Sequence, residues 1–228
     1  MVDGAELARY AKLYGLDINI DFSEKVTAIQ RKVKELIDTI GSSCPTIEEP
    51  RECIVEIYQS VKPHLDQLMK ETTNLLSENN IEEEYSQLII LQAIAEWVAQ
   101  KIMDSGKALV GGQGVCPVCG ASTDLAILEP DGRLTMKCQF CGYEWETGIE
   151  ASNIACPYCG YSGKEALSLI HSKMDDRVMV LYCGNCGRSL VIINSKRLRK
   201  LPRELYPLMR TKVENILAGL HRIASRPK

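Results

Sequence analysis

Across residues 1–105 the apolar positions recur mostly three and four apart, a spacing that predicts helices. Phe22, Val26, Ile29, Val33, Leu36, Ile37 and Ile40 make one stripe, closed by Gly41 and the Cys44-Pro45 break. Thr46 to Glu49 offers a cap for the next helix. That helix carries Ile54, Ile57, Val61, Leu65, Leu68, Met69, Leu75 and Leu76, with Pro63 placed to bend or split it. A third helix is expected from about Ile81 to Asp104. Its apolar residues (Tyr85, Leu88, Ile89, Leu91, Ile94, Ala95, Trp97, Val98, Ile102) spread widely enough to make it the buried member of a bundle. Glu82, Glu83 and Glu84 fall in its first turn, where the helix dipole favours negative charge, and this structural role accounts for them.

The helical period stops at Ser105 to Gly114, a stretch with four glycines that reads as a linker. Strand patterns follow. Leu125 to Leu128 and Arg133 to Lys137 flank Glu129-Pro130-Asp131-Gly132, a hairpin with an Asp-Gly turn. Ala166 to His171 and Arg177 to Tyr182 repeat the plan around Ser172 to Asp176, and Leu190 to Ile193 is a last strand. After Pro202, Leu205, Leu208, Met209, Val213, Ile216, Leu217, Leu220 and Ile223 form another helical stripe, expected to pack back on the protein or on a second copy. Lys196, Arg197, Arg199 and Lys200 precede it on an exposed strand or loop.

Eight of the ten cysteines lie in the strand-rich part, as four Cys-x-x-Cys pairs each followed by glycine: Cys116/Cys119, Cys138/Cys141, Cys156/Cys159 and Cys183/Cys186. Glycine at that position admits a positive φ, which lets backbone N–H groups turn toward the sulfurs. Two such knuckles supply the four thiolates of a closed tetrahedral site. Eighteen residues separate the first knuckle from the second, and 23 separate the third from the fourth. Each gap fits a strand, a turn and a returning strand. The first knuckle therefore pairs with the second and the third with the fourth, giving two metal ions in two consecutive ribbons. Zinc and iron both suit four thiolates, and Cys-Pro-Val-Cys-Gly and Cys-Pro-Tyr-Cys-Gly are also rubredoxin-type knuckles. A disulfide framework is the weaker reading, and a thioredoxin-like role weaker still, since it uses one pair opening a helix.

The fold class is thus α+β: a helical domain over 1–105, a linker over 106–115, two tandem rubredoxin-like or zinc-ribbon β modules over 116–195, and a basic segment with a C-terminal helix over 196–228. Charge is uneven along it. Residues 1–105 carry 10 basic and 19 acidic groups, residues 106–195 carry 7 and 9, and residues 196–228 carry 10 and 2. The N-terminal residues lack the basic and apolar regions of a secretory signal, and Leu88 to Ala99, broken by Gln92 and Glu96, is too short to span a bilayer. Free thiolates belong in a reducing compartment, so a cytoplasmic protein is expected. His64, His171 and His221 lie far apart, and no nucleophile, base and oxyanion hole assemble in the sequence, which points away from an enzyme. Cys53 lies beside an apolar stripe and reads as a small core hydrophobe, with Cys44 standing alone.

Cys116-Pro-Val-Cys-Gly, then Cys138-x-x-Cys141-x-x-Glu144-Trp145, then Cys156-x-x-Cys159 with Ser162-Gly163-Lys164 beyond it, then Cys183-Gly-x-Cys186-Gly, resembles the FdhE family of formate dehydrogenase accessory proteins over about residues 113–194. The resemblance implies a helical N-terminal part with two rubredoxin-like modules. It also implies a cytoplasmic protein that binds the catalytic subunit of formate dehydrogenase and helps it mature or become active. The rival reading is a zinc-ribbon nucleic-acid binder that uses Lys196 to Arg203 against phosphates, weakened by the acidity of the rest of the chain. A third is simple electron transfer at rubredoxin-type iron. The loops Gln139-Phe140 and Tyr143-Glu144-Trp145 are the expected partner contact if their aromatics are exposed, with packing of Trp145 on its own ribbon as the alternative.

Overall fold

A computed structural model describes residues 4–14, 18–41, 48–112, 114–150, 153–163, 165, 167–171, 176–198 and 201–209. The helical part comprises α1 (Gly4–Tyr14), α2 (Ile20–Ile40), α3 (Pro50–Val61), α4 (Asp66–Glu78) and α5 (Tyr85–Asp104). Asn19 caps α2 by accepting from the Phe22 N–H, and Gly41 ends it in the left-handed region at φ 69°. Pro63 splits the expected second helix: α3 stops at Val61 and a short 3-10 turn, Lys62–His64, leads into α4. Thr46 lies outside the described residues, and α3 starts after Glu49 with no side-chain cap. Glu82 to Glu84 precede α5 instead of forming its first turn.

Helix α5 packs against α2, α3 and α4. Ala93, Ala95 and Ala99 lie among its buried residues, small enough to let neighbouring helices close in on Ile90, Ile94 and Ile102. Tyr85 and Leu88 are exposed instead, so the buried face is narrower than the apolar sequence suggests. Cys53 is buried on α3 as expected but is disulfide-bonded, a departure from the lone-hydrophobe reading. Cys44 lies outside the described residues.

The strands are β1 (Leu125–Leu128), β2 (Arg133–Lys137), β3 (Glu144–Glu150), β4 (Leu167–His171), β5 (Val178–Cys183) and β6 (Ser189–Asn194). They form one six-stranded sheet, in the order β3-β2-β1-β6-β5-β4, whose two halves are the tandem ribbons expected from the sequence. Each half is an antiparallel three-stranded meander. The halves meet at a parallel seam in which Leu125, Ala126, Ile127 and Leu128 pair with Val191, Ile192, Ile193 and Asn194. Parallel pairing suits strands covered on both faces, and the near-unbroken apolar runs of β1 and β6 meet that condition.

One face carries Leu125, Ile127, Val178, Val180, Val191 and Ile193, covered by Tyr10 and Tyr14 of α1 and by Leu198, Leu201, Tyr206 and Met209. The opposite face carries Ala126, Met136, Leu181, Leu190 and Ile192 and joins the core of the helical bundle. The last segment does pack back on the protein, yet Arg203–Met209 is 3-10 helix, and the rest of the expected C-terminal helix lies outside the described residues.

The glycines before the first knuckle have a packing role. A Cβ on Gly111 would lie 2.4 Å from Trp145 Nε1, and one on Gly114, at φ +69°, would lie 2.2 Å from Tyr158 Cε1. Leu109 N–H donates to the Tyr143 hydroxyl at 2.9 Å, and Thr123 N–H donates to the Gly114 carbonyl at 2.8 Å. The stretch is a strap laid on aromatic rings of both modules, since Trp145 belongs to the first and Tyr158 to the second.

A cluster of four charges ties the last segment to the first module. The Arg203 guanidinium reaches Glu129 through Nη1 at 3.1 Å and Nη2 at 2.7 Å, and Glu144 through Nη2 at 2.6 Å. Lys137, itself buried, donates to Glu144 at 2.8 Å. Burial alone would raise the Glu144 pKa, but the charge of Lys137 and the hydrogen bonds from Arg203 and Lys137 outweigh it and hold the carboxyl below its usual value.

Two predictions follow from this packing. Gly114→Ala should destabilise the chain by about 2–4 kcal/mol, combining left-handed strain with overpacking on Tyr158. Gly106→Ala, at φ +70° but with open space around it, should cost only about 1 kcal/mol. Urea midpoints compare the two. Glu144→Gln should cost about 2 kcal/mol at neutral pH. Because the folded pKa of Glu144 is depressed, its contribution is fully present above the unfolded value of about 4.3 and is lost as pH falls through the folded one. The gap between wild type and variant should therefore shrink on acidification.

Candidate metal centres

Four turns of one design hold the eight thiols. In the first, Cys116 N–H donates to the Ala121 carbonyl at 2.9 Å and Gly120 N–H donates to the Cys116 carbonyl at 3.0 Å. The same two bonds recur in the other turns: the N–H groups of Cys138, Cys156 and Cys183 donate to the carbonyls of Tyr143, Tyr161 and Arg188, and those of Gly142, Gly160 and Gly187 donate back to the carbonyls of Cys138, Cys156 and Cys183. Gly120, Gly142, Gly160 and Gly187 share φ of 73–76°, the conformation that closes the turn and that L side chains rarely adopt.

The sheet sets the turns opposite each other. The second knuckle joins β2 to β3 and the fourth joins β5 to β6, while the first and third precede β1 and β4. Cys116, Cys119, Cys138 and Cys141 come together, as do Cys156, Cys159, Cys183 and Cys186, with all sulfurs of each group within 4.8 Å of one another. The Cys116–Cys141 and Cys119–Cys138 sulfurs are each 3.6 Å apart. The Cys156–Cys186 and Cys159–Cys183 sulfurs are 3.7 and 3.8 Å apart. A tetrahedron with metal–sulfur bonds of about 2.3 Å has edges of about 3.8 Å, so the spacing fits a four-coordinate soft metal ion. It is far too long for disulfides, whose sulfurs lie about 2.05 Å apart, and all eight thiols are free.

Backbone N–H groups point at the sulfurs, as from Cys141 to the Cys138 sulfur at 3.5 Å. Hydrogen bonds from Cys116 and then from Cys119 and Cys141 hold the Cys138 thiol far below its usual pKa. The sulfurs of Cys116, Cys119 and Cys138 crowded around it push the Cys141 thiol far up. Four thiols this close do not all ionise without a cation, which is the charge a divalent metal ion would supply.

The two centres differ in setting. In the first, Cys116, Cys138 and Cys141 are buried and Cys119 is half-buried. Arg51 at the start of α3 crosses that knuckle, its Nε 3.1 Å from where a Gly120 Cβ would be. In the second, Cys159 and Cys186 are exposed. There Asn185 Nδ2 lies 3.5 Å from the Cys159 sulfur, and the Arg188 guanidinium carbon lies 5.0 Å from the centre of the Tyr158 ring. Sequence reasoning missed Arg51, Asn185 and Tyr158. Asn185 and Tyr158 sit inside knuckles, where a polar or aromatic residue between the cysteines was a usable signal, but nothing local marked Arg51.

Of the two roles the sequence left open for the aromatics after the second knuckle, packing on their own ribbon is the one found. Tyr143 and Trp145 are buried, at 3% and 5% exposure, and stack on each other with ring centroids 6.5 Å apart. Glu144 is engaged by Lys137 and Arg203, and Gln139 donates to Asp124 at 2.7 Å. The basic segment is also partly committed inside the protein: Arg203 pairs with Glu129 and Glu144, and Arg197 with Asp176 at 2.7 Å. Arg199 and Lys200 lie outside the described residues, and the side chain of His171 is not described. Among the described residues no helix is long and apolar enough to cross a membrane.

No family model matches the sequence, and no curated protein sequence matches it. Among solved structures, the chain is similar to the crystal structure of the FdhE protein from Pseudomonas aeruginosa, with 15% sequence identity, coverage of 84% of this chain and 75% of that chain, and a TM-score of 0.48.

Proposed function

We infer that this chain is a non-catalytic, metal-binding accessory protein that binds the catalytic subunit of formate dehydrogenase in the cytoplasm and helps it mature or become active. One observation carries the reading. Two tetrahedral four-thiol sites are built into a single sheet, so each metal ion would lock two loops and leave no vacant position for a substrate. The motif resemblance over residues 113–194 supplies the client. The engagement of Arg203 and Arg197 by carboxylates removes part of the basic surface that a nucleic-acid binder would use. The ligands are Cys116, Cys119, Cys138 and Cys141 at one centre and Cys156, Cys159, Cys183 and Cys186 at the other, with zinc or iron as the ion.

Elemental analysis of reduced protein should return two metal ions per chain, falling to one in Cys138→Ser. A value of one or none in the wild type contradicts the assignment. For the client, deletion of the gene should lower formate dehydrogenase activity while leaving synthesis of the catalytic subunit intact, and tagged protein should retain that subunit from native extract. Full activity in the deletion strain, together with tight binding to RNA or DNA at physiological salt, would replace the accessory role with nucleic-acid binding.

A further inference from the structure

The two centres are built alike and buried differently, and a cleft opens beside the second. It has a volume of ≈ 430 Å³ and lies between the first module and the third knuckle. Trp145 and Ile149 of β3 line one side, Pro157 and Cys159 the other, and Gly111 and Gly112 of the strap close one end. Cys159 is exposed, and the rest of its centre includes the exposed Cys186, whereas three of the four thiols of the first centre are buried. Ligand exchange at a closed four-thiolate site needs an incoming sulfur to reach one ligand while the others keep their hold. Among the described residues the second centre offers that approach at two exposed thiols, and the path to Cys159 runs over Trp145, Thr147, Ile149 and Pro157 and over bare glycine backbone.

We propose that the centre formed by Cys156, Cys159, Cys183 and Cys186 is the exchangeable one, and that an incoming thiol on an apolar carrier reaches it at Cys159 through this cleft. The inference rests on the metal-binding reading above and adds to it a division of labour: the buried centre holds the fold and the exposed one trades ligands. In the exchange the incoming thiol gives up its proton and its sulfur takes the place of Cys159. The Cys159 sulfur accepts the proton and leaves as a thiol. The number of sulfur ligands, the net charge of the centre and the oxidation state of the ion are unchanged, so no oxidant or reductant is needed. Asn185, whose amide lies 3.5 Å from the Cys159 sulfur, is placed to hold that thiol while it is detached.

The test uses the full chain loaded with zinc, limiting N-phenylmaleimide as an apolar thiol probe, a colorimetric chelator to count released zinc, and peptide mapping to locate the adducts. Cys159 and Cys186 should react at least about tenfold faster than Cys116, Cys138 and Cys141, with one of two zinc ions released in that phase. Gly112→Leu supplies the second arm, since a Cβ at Gly112 meets nothing within 4 Å and the variant should fold normally. It should slow the Cys159 reaction severalfold and leave Cys186 unchanged, and a negatively charged maleimide should show less of this difference. Release of both ions together, or first reaction in the Cys116 centre, overturns the division of labour. An unchanged Cys159 rate in Gly112→Leu overturns the cleft as the entry path. A chain that never binds zinc releases none and reacts at all eight thiols without a zinc-linked phase, which overturns the metal-binding reading itself.

Discussion

Parallel pairing of β1 with β6 is the constraint on which the arrangement of both centres depends. Each meander alone exposes an edge and a bare face. Joined along Leu125–Leu128 and Val191–Asn194 they become one sheet, thick enough to be covered on both sides. The seam also explains why the strap can touch both modules at once. Gly111 lies against Trp145 and Gly114 against Tyr158 because the two knuckle systems are held at a fixed distance by the strands between them. The helical bundle then shares a core with one face of this sheet, while α1 and the segment after β6 cover the other.

Charge follows the same plan. Four thiols at 3.6–3.8 Å separations repel as thiolates, and the turns answer with N–H groups aimed at sulfur. Arg51 adds a cation beside the first centre, and Arg188 stacks on Tyr158 beside the second. The Glu129, Glu144, Lys137 and Arg203 cluster is balanced within itself, two acids against two bases, and fastens the segment after β6 to the first module. A charge cluster of this kind positions elements; its net contribution is smaller than its contacts suggest, because each group gives up water to join it.

Local signals carried much of this in the sequence. Knuckle spacing determined which sulfurs meet, because a hairpin of fixed length returns the chain to its start. The apolar run Leu125 to Leu128, the strand pattern Arg133 to Lys137 and the Asp-Gly turn between them placed β1 and β2, and Gly41 and Pro63 placed the end of α2 and the break between α3 and α4. Long-range pairing was not legible. Nothing near residue 125 announces a partner near residue 191, so the two ribbons were legible and their joining into a single sheet was not. The strap glycines read only as a linker because the rings they touch lie far along the chain, and for the same reason the sequence left open whether the aromatics after the second knuckle dock a partner or pack on their own ribbon. Strand β3 escaped notice because its outward positions carry Glu146 and Glu150 and its run contains Gly148.

The central claim is that the two centres belong to one cooperative sheet. Amide hydrogen exchange on Cys138→Ser, with the second centre kept loaded with metal, tests it most directly. If the seam couples the modules, protection should fall in β1 and β2 and also in β6 and β5, while α2 and the buried face of α5 keep theirs. Loss of protection confined to β1, β2 and β3, with β6 and β5 as protected as in the wild type, would contradict the account and return the chain to two independent ribbons.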